Sequence, residues 1–297
     1  MSDLFSGFFD TGVIYDFLHA EGAAYLVTIF VILIAAKYIY DFFTPFKINQ
    51  QLTEEDNKAV ALSFAGYLLG VGIVVLGVFS TSAVINGPSD FYRDLLDTVI
   101  WGIIGILLLQ IARVINDKLL LSKFNNVKEL ITDKNIGTGA VEFGSYVGAA
   151  LIIYACLLGE DQSFAHGVAS TLIYFVMGQI GFIIYGWIYQ AISRYDLHAE
   201  IEKDNISAGV AFGLNLIAIA ILLSGYIKLY DSVLGFLVWL IVSLFILAVS
   251  RYLVDKILLP GALLDEEISR DQNWGAALVE GCVAIGLSLI LVPTFLG

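Results

Sequence analysis

Two glutamates, Glu142 and Glu280, lie inside long apolar stretches of the sequence. An ionisable side chain is costly to keep at such a position, and it is a functional-site hypothesis by default. An arginine stands in the apolar stretch before each of them, Arg113 before Glu142 and Arg251 before Glu280. A carboxylate in apolar surroundings can bind a proton or a small cation, and a nearby guanidinium can neutralise its charge. The four residues are therefore predicted to form two intramembrane charge pairs.

Three interpretations of these charge pairs remain open. The first is structural: a buried ion pair, or an arginine that reaches towards the membrane surface, fixes the register of the helices. The second is a proton or cation relay site, and the third is contact with lipid head groups. At a helical rise of about 1.5 Å per residue, the glutamates lie about 10 Å and the arginines about 6 Å from one membrane surface. Within each half, the arginine and the glutamate are expected to meet across one helical hairpin.

The composition identifies the class of protein that must position these residues. Of 297 residues, 59% are hydrophobic and 14% are charged, whereas a soluble domain carries roughly 25% charged residues. Apolar runs longer than about 20 residues, without alternation of polar and apolar positions, favour membrane-spanning helices over a β-barrel. The lipid bilayer is thus the first expected partner. The net charge of −13 argues against nucleic acid as a further partner.

Eight apolar runs are predicted to be membrane-spanning helices, numbered spans 1 to 8. They lie near residues 23–43, 59–85, 95–121, 136–158, 165–192, 206–230, 233–259 and 274–296. The chain before them, residues 1–22, is predicted to be an N-terminal segment on the outer face. Residues 23–160 and 161–297 are predicted to be two four-helix repeats.

The repeats follow from an internal duplication of the sequence. Seven landmarks recur at a constant offset of 138 residues: a Trp, the Arg, an Asp-Lys pair, an apolar triplet, an Asn, a Gly and a Val-Glu pair. The two sets lie within Trp101–Glu142 and Trp239–Glu280. Each copy holds an even number of spans, so both copies have the same orientation in the membrane and form a parallel repeat.

The basic residues predict which face of the membrane each loop occupies. The loops that follow spans 1, 3, 5 and 7, with the adjoining helix ends, hold 13 of the 15 Lys and Arg residues. Because cytoplasmic loops are enriched in Lys and Arg, these four loops are expected in the cytoplasm and both termini on the outer face. The outer face is acidic, which would concentrate cations there.

Each even-numbered span begins with an asparagine: Asn57, Asn135, Asn205 and Asn273. Asparagine favours the N-cap position, because its side chain accepts hydrogen bonds from free N–H groups at a helix start. Small residues follow in the first turn, and small-xxx-small pairs such as Gly144-x-x-x-Gly148 lie further along. Such faces let helices approach closely, so they are predicted to be packing faces within the chain and a route to homo-oligomers.

The remaining polar and aromatic residues indicate less chemistry. Cys156 and Cys282 fall in apolar runs and are interpreted as buried small side chains. Aromatic residues near helix ends fit an aromatic belt at a membrane surface: Tyr38, Tyr40, Tyr185, Trp187 and Tyr189. The motifs of metalloproteases, serine hydrolases and P-loop NTPases do not occur in the sequence. We therefore expect no catalysis, no bound metal and no cofactor.

The starts of the even-numbered spans resemble a known family. The pattern Asn-x-small-x-small occurs within Asp56–Gly70, Asp133–Gly148, Asp204–Gly213 and Asp271–Gly286. It is similar to the helix starts of the YjfL-like bacterial inner-membrane proteins, the domain of unknown function numbered 350. The resemblance covers residues 25–297 as two tandem copies of a four-span unit. It implies a helical bundle in the bacterial inner membrane and a link to envelope stress, but no activity, and the fused copies are expected to mimic a dimer of single-copy relatives.

Two functional hypotheses follow, from different classes. The first is a membrane interaction or scaffold component of envelope maintenance, with cytoplasmic envelope-stress proteins as partners of charged loops such as Lys123–Lys134 and Asp265–Glu267. The alternative is a proton or small-cation channel or transporter that uses Glu142 and Glu280. The parallel repeat and the lack of a broken helix favour the first, and neither hypothesis involves an enzyme.

Overall fold

The computed structural model describes residues 20–85, 91–158, 164–230 and 232–297. Within these ranges it contains eight helices long and apolar enough to cross a membrane, and no strands. They are Ala23–Phe43, Lys58–Ser80, Phe91–Leu120, Ile136–Leu157, Phe164–Ile192, Ile206–Leu229, Val233–Leu258 and Trp274–Leu296. The predicted all-helical architecture of eight spans is confirmed. Most of the predicted N-terminal segment 1–22 lies outside the described residues, which begin inside helix Ala20–Phe43.

The two repeats share an unusual helix end. Span 3 is α-helical over Phe91–Ile115 and finishes in a π-helical turn, Asn116–Leu120. Span 7 does the same, with Val233–Leu253 followed by the turn Val254–Leu258. The two turns begin 138 residues apart, which is the offset of the duplication. The repeats therefore correspond in local backbone geometry as well as in sequence.

A short segment precedes each even-numbered span, and all four segments lie on one face of the protein. In chain order they are a π-helical turn, Gln50–Glu54, and three short helices, Asn126–Ile131, Leu197–Glu202 and Leu264–Ser269. We call them cap segments 1 to 4 and the face that holds them the cap face. The residue before each asparagine has a positive φ, from 46° at Asp56 to 61° at Asp204. This conformation is uncommon for residues other than glycine. We call each cap segment together with the even-numbered span that follows it a unit, and the positive φ recurs in all four units.

The even-numbered spans stand side by side in one row, in the order 2, 4, 6, 8. All four begin at the cap face, so they are parallel to one another. The odd-numbered spans form a second layer: span 3 packs on spans 2 and 4, span 5 on spans 4 and 6, and span 7 on spans 6 and 8. Span 1 packs on spans 2 and 3. The two repeats thus form one continuous double layer rather than two separate bundles.

Glycines bring the backbones of the row into contact. A Cβ atom added to Gly144 in span 4 would overlap the carbonyl group of Gly213 in span 6. A Cβ atom added to Gly139 in span 4 would overlap the carbonyl group of Ala59 in span 2. Side chains at these glycines would force the helices apart. The small residues therefore act as packing faces between neighbouring even-numbered spans.

Two interpretations of single residues need correction. Cys156 is buried as expected, but Cys282 is exposed on span 8. Tyr38 and Trp187 are 64% and 68% exposed and fit an aromatic belt, whereas Tyr40, Tyr185 and Tyr189 are buried. The cause is helical geometry: residues two apart point in nearly opposite directions and residues four apart share a face. Tyr40, Tyr185 and Tyr189 therefore face the protein interior, while Tyr38 and Trp187 face outwards.

Candidate functional site

The four charged residues predicted to carry chemistry are all buried. Glu142 in span 4 and Glu280 in span 8 are 2% and 1% exposed. Arg113 in span 3 and Arg251 in span 7 are 9% and 6% exposed. Each arginine lies in the last α-helical turn before the π-helical turn of its span. The two halves therefore hold the same charges at corresponding places, and they differ in what those charges contact.

In the second half, the structure brings the arginine and the glutamate together. Arg251 Nη1 donates a hydrogen bond to Glu280 Oε1 in a direct ion pair. Its Nη2 atom donates to Asp265 Oδ1 in cap segment 4, at 2.7 Å. One guanidinium thus bridges two carboxylates, a task for which the fixed fork of arginine N–H groups is suited. This arrangement ties spans 7 and 8 to the cap face.

Aromatic and amide side chains complete the second-half cluster. The Tyr189 hydroxyl donates to Glu280 Oε1 at 3.1 Å, and its ring centroid lies 4.6 Å from the Arg251 guanidinium. Asn215 Nδ2 donates to Glu280 Oε1 at 3.3 Å, while Asn215 Oδ1 accepts from the Tyr185 hydroxyl at 2.8 Å. The sequence carries little signal for Tyr189, because a tyrosine near a helix end fits a surface belt equally well.

In the first half, the expected ion pair does not form. Arg113 Nη2 donates instead to the backbone carbonyl of Phe43, at 2.8 Å, and the guanidinium lies 5.9 Å from the centroid of the Tyr40 ring. Among the described residues, no carboxylate forms an ion pair with Arg113. Arg113 and Glu142 therefore interact electrostatically without forming a direct ion pair.

Two differences between the repeats account for this contrast. Val127 occupies the position that corresponds to Asp265, so the first half lacks the second carboxylate that holds the arginine in the other half. Ser63 corresponds to Ala211, so the first half has a hydroxyl donor where the second half has a methyl group. The Ser63 hydroxyl donates a hydrogen bond to Glu142.

Glu142 is held by hydroxyl groups. Ser63 in span 2 donates a hydrogen bond to Glu142 Oε2. The Ser63 hydroxyl oxygen lies 3.2 Å from the hydroxyl oxygen of Tyr40 in span 1. Three spans are thus linked by a buried chain of side chains, Tyr40–Ser63–Glu142. No spacing pattern in the sequence points to Tyr40 or Ser63, since a lone hydroxyl in an apolar run has no periodic signature.

The four asparagines Asn57, Asn135, Asn205 and Asn273 all cap the spans that they precede. Each Oδ1 atom accepts from one or two backbone N–H groups two or three residues later, at 2.9 to 3.2 Å. This is the hydrogen bonding of an N-cap. It satisfies backbone donors that would otherwise be left free near the membrane surface.

The amide groups of the first three asparagines also join neighbouring units. The donor–acceptor pairs are Asn57 Nδ2 with the Leu130 carbonyl at 2.8 Å, Asn135 Nδ2 with Ile201 at 2.6 Å, and Asn205 Nδ2 with Ile268 at 2.9 Å. The three acceptors occupy equivalent places, in cap segments 2, 3 and 4. Each asparagine therefore ends one cap segment, starts one span and binds the next cap segment.

A glutamine or glutamate in each cap segment accepts a further hydrogen bond from the asparagine amide. These residues are Gln51, Glu129, Glu200 and Glu267, at 2.8 to 3.0 Å from Nδ2. Burial raises the pKa of Glu129 above its ordinary value, although the hydrogen bond from Asn135 partly offsets this. The signal that reveals them is a Gln or Glu five or six residues before each asparagine.

Two kinds of chemistry are available in these clusters: exchange of a proton and neutralisation of a carboxylate by an arginine. A carboxyl group beside two hydroxyl groups can exchange a proton, whereas a glutamate bound to an arginine is neutralised by it. Within the part of the chain that the structure describes, no group of three His, Cys, Asp or Glu side chains is placed to hold a metal ion.

Comparison with known proteins gives two related transmembrane proteins. A UPF0719 transmembrane protein of Aquifex aeolicus is 25% identical over 280 residues, which is 90% of this chain and 97% of that protein. The UPF0719 transmembrane protein YshE of Bacillus subtilis is 23% identical over 118 residues, which is 40% of this chain and 87% of that protein. No solved structure matches the chain. The model of the family described as Domain of Unknown Function (DUF350) matches residues 11–157 and 163–294. The chain therefore belongs to the DUF350 family, in two tandem copies, as its helix starts predicted.

Proposed function

We propose that the protein is a membrane interaction or scaffold component of the bacterial inner membrane, with its cap face in the cytoplasm. The observation that carries this proposal is the continuous row of even-numbered spans. Each joint in the row combines contact at small residues with a hydrogen bond from an asparagine to the next cap segment. The row is continuous from the first repeat to the second. It is therefore better suited to a rigid scaffold for other proteins than to a channel or transporter whose halves move against each other.

Charged side chains make the cap face a surface for partners. Lys123, just before cap segment 2, forms an exposed ion pair with Asp196, the N-cap of cap segment 3. Arg270 pairs with Glu266 and Asp271 at the end of cap segment 4. Exposed ion pairs contribute little to stability, so these charges are free to serve recognition. The family resemblance supports envelope stress as the process in which such partners act.

Site-specific photocrosslinking in cells tests this function. A photoreactive amino acid at Glu266, on the cap face, is expected to give a discrete protein adduct that disappears with Arg270→Glu. The control position is Tyr92, which is 79% exposed at the opposite end of span 3. The matched charge control is Lys228→Glu, also on the opposite face. Adducts of the same size from both positions, or none from Glu266, would contradict the proposal.

A second function, proton or small-cation transport, is favoured by one observation. Glu142 is hydrogen-bonded to Ser63 and through it to Tyr40, whereas Glu280 is bound to Arg251. Hydrogen-bonded chains of hydroxyl and carboxyl groups can pass a proton. The geometry therefore supports a relay in the first half and a structural ion pair in the second.

Flux measurements on single variants test this second function. Purified protein in liposomes would be assayed for proton and potassium flux beside Glu142→Gln and Glu280→Gln. The relay predicts flux that Glu142→Gln abolishes and Glu280→Gln retains, with both variants folded. Absence of flux in the unmodified protein would remove transport and leave the scaffold function alone.

A further inference from the structure

The row of even-numbered spans ends at span 8 with its joining face unused. We define the joining face by the residues 2, 9 and 13 positions after each asparagine. In span 4 these are Gly137, Gly144 and Gly148, and all three meet span 6. In span 8 the corresponding residues are Gly275, Cys282 and Gly286. Cys282 is exposed, and no atom lies within 4 Å of a Cβ built at Gly286.

Span 2 exposes the complementary face at the other end of the row. We define this receiving face by the residues 4, 8 and 15 positions after each asparagine. In span 6 they are Gly209, Gly213 and Ala220, which meet span 4. In span 2 they are Ala61, Ala65 and Gly72, and all three are exposed. No atom lies within 4 Å of a Cβ built at Gly72.

The side chains at the two free faces have matching sizes. At each joint inside the chain, the residue 9 positions after one asparagine meets the residue 8 positions after the next. The pairs are Gly66 with Phe143, Gly144 with Gly213, and Leu214 with Gly281. At a joint between two copies the pair would be Cys282 with Ala65, both small. The two free faces are therefore small-residue faces of the kind that pack helices together, although each pair inside the chain includes a glycine and the pair between copies does not.

The last asparagine also has an unused amide group. Asn57, Asn135 and Asn205 are at most 1% exposed, but Asn273 is exposed and its Nδ2 atom donates only within its own cap segment, to Glu267 at 2.8 Å. The carbonyl that corresponds to the acceptors in cap segments 2, 3 and 4 is that of Leu52 in cap segment 1. It lies at the opposite end of the row, beside the receiving face.

A second hydrogen bond between neighbouring units occurs at the joint between spans 4 and 6. Asp204, just before the asparagine of span 6, accepts from the backbone N–H of Ile136 in the unit before it, at 3.0 Å. Asp56 holds the place of Asp204 in the first unit, and Trp274 holds the place of Ile136 in the last. If two copies met, Asp56 of one copy would accept a hydrogen bond from the backbone N–H of Trp274 of the other, as Asp204 accepts from Ile136.

We propose that a second copy of this chain continues the row, its span 2 packing on span 8 of the first copy. Asn273 of one copy then donates to the Leu52 carbonyl of the next, and Asp56 of that copy accepts from Trp274. The contact is head to tail, so its repetition yields rings or open chains of copies in the membrane plane. The inference concerns the edges of the row and does not rest on the proposed function.

The relation between the two repeats supports a contact between copies. Within this chain, the joint between spans 4 and 6 connects the first repeat to the second. The relative from Bacillus subtilis matches over 118 residues that make up 87% of its length, so it has room for about one repeat. A chain of that size can form the equivalent joint only with another chain. In a relative with one repeat, the faces that correspond to the joint between spans 4 and 6 would therefore form a contact between separate molecules.

Disulfide crosslinking in native membranes tests the proposal. Ala65→Cys places a thiol on the receiving face, opposite the native Cys282 of the next copy. Oxidation is expected to give covalent dimers and larger oligomers in this variant, since disulfides form when Cβ atoms approach within about 4.5 Å. Adding Cys282→Ala must remove these products. The unmodified protein, whose two cysteines are the buried Cys156 and the exposed Cys282, is expected to stay uncrosslinked.

Controls decide between this contact and chance collisions. Val249→Cys places a thiol at a similar depth on an exposed side of span 7, and it must crosslink much less than Ala65→Cys. Equal crosslinking of the two variants would overturn the proposal. Crosslinking of the unmodified protein through Cys282 would overturn it as well, because it would mean that span 8 meets a second span 8.

A second measurement does not depend on thiol chemistry. Gly72→Leu and Gly286→Leu fill space that is open in the single chain, so both variants should keep the melting temperature of the monomer. Each is expected to lower the oligomer fraction, seen by native mass spectrometry from membranes, at least about 10-fold, since ~1.4 kcal/mol of lost contact suffices. A purely monomeric unmodified protein, or oligomers insensitive to both variants, would refute the contact.

Discussion

The two halves of the protein carry the same buried charges in the same places and use them differently. In the second half, Arg251 holds Glu280 and Asp265 together in one cluster. In the first half, Arg113 binds a backbone carbonyl and Glu142 binds a hydroxyl. Duplication has thus preserved the backbone and the charged residues while their pairing has diverged.

A few neighbouring side chains decide the role of a buried charge. A carboxylate and an arginine in contact neutralise each other, and such a pair can be purely structural. Separated and bound to neutral groups, the same two residues keep their charges or protons available to a third partner. The second-half cluster is therefore interpreted as a structural ion pair. The first-half residues are the better candidates for binding or passing a proton.

The largest expected effect lies at the two arginines. Arg251→Met leaves the buried Glu280 and the half-buried Asp265 without a cation, and removing one partner of a buried pair costs ~3–5 kcal/mol. Arg113→Met removes a charge-assisted hydrogen bond to one carbonyl, for which we expect a loss of only ~1.5–3 kcal/mol. Unfolding of both variants in detergent, followed by circular dichroism, measures the difference.

A triple variant separates lost charge balance from lost packing. Arg251→Met combined with Glu280→Gln and Asp265→Asn leaves no carboxylate unpaired in the cluster, so a large part of the stability should return. Equal losses in Arg251→Met and Arg113→Met would mean that both halves hold their arginines in the same way, and the comparison would fail.

The next effect compares the asparagines that start spans 4 and 8. Asn135 caps its helix and also binds Glu129 and the Ile201 carbonyl, whereas Asn273 lacks a bond to a following unit. Losing the cap costs about 1 kcal/mol, and each further buried hydrogen bond adds ~1 kcal/mol. We expect Asn135→Ala to cost ~2–4 kcal/mol and Asn273→Ala ~1–2 kcal/mol in dilute detergent, measured by thermal unfolding.

Asn135→Ser is the matched control for this pair of variants. Serine keeps the cap acceptor but has no amide group to reach the next unit. Its stability should therefore fall between those of the unmodified protein and Asn135→Ala. If Asn135→Ala and Asn273→Ala lose the same amount, the hydrogen bond between units contributes nothing.

A smaller effect is expected at the hydroxyl that replaces the arginine as partner of Glu142. Ser63→Ala leaves a buried carboxyl oxygen without its donor, at a cost of ~1–3 kcal/mol. Ser288→Ala is the control in the second half, because this buried hydroxyl bonds only a carbonyl of its own helix, that of Ala284. The control should change the melting temperature little, and a comparable loss in both variants would contradict a special role of Ser63.

Much of this fold could be predicted from the sequence because its signals are local. The eight spans are continuous apolar runs, and the duplication keeps its landmarks at one offset. The caps could be predicted as well, since Asn57 and its three counterparts each stand directly before an apolar run. Each of these features depends on residues close together in the chain.

The order of the spans in the row could not be predicted, because it depends on contacts between distant segments. The glycine pairs indicate close packing, but they do not say that span 4 lies between spans 2 and 6. The partner of Arg113 was beyond prediction for the same reason: it depends on Val127 and Ser63, which belong to other segments. The partner that a buried side chain binds is decided by differences in position smaller than one helical turn. Such differences are visible only in the three-dimensional structure.

The smallest expected effect is a pH dependence at Glu129 in cap segment 2. Burial raises the pKa of Glu129 in the folded protein above its ordinary value of 4.5. The folded state therefore holds the proton more tightly than the unfolded state, and stability falls as the pH rises from about this value through the raised pKa. Glu129→Gln removes that loss. The amide is sterically suited to the site, since Gln51 accepts the equivalent hydrogen bond from Asn57 at 2.8 Å.

The measurement is the melting temperature in detergent between about pH 4 and pH 8. The advantage of Glu129→Gln over the unmodified protein should be smallest at the acidic end, grow as the pH rises and become constant above the raised pKa. Glu202→Gln, at an exposed position on the same face, provides the baseline for changes elsewhere in the protein. A constant difference across the range would mean that Glu129 keeps the same proton affinity folded and unfolded, and its burial would then contribute no pH dependence to stability.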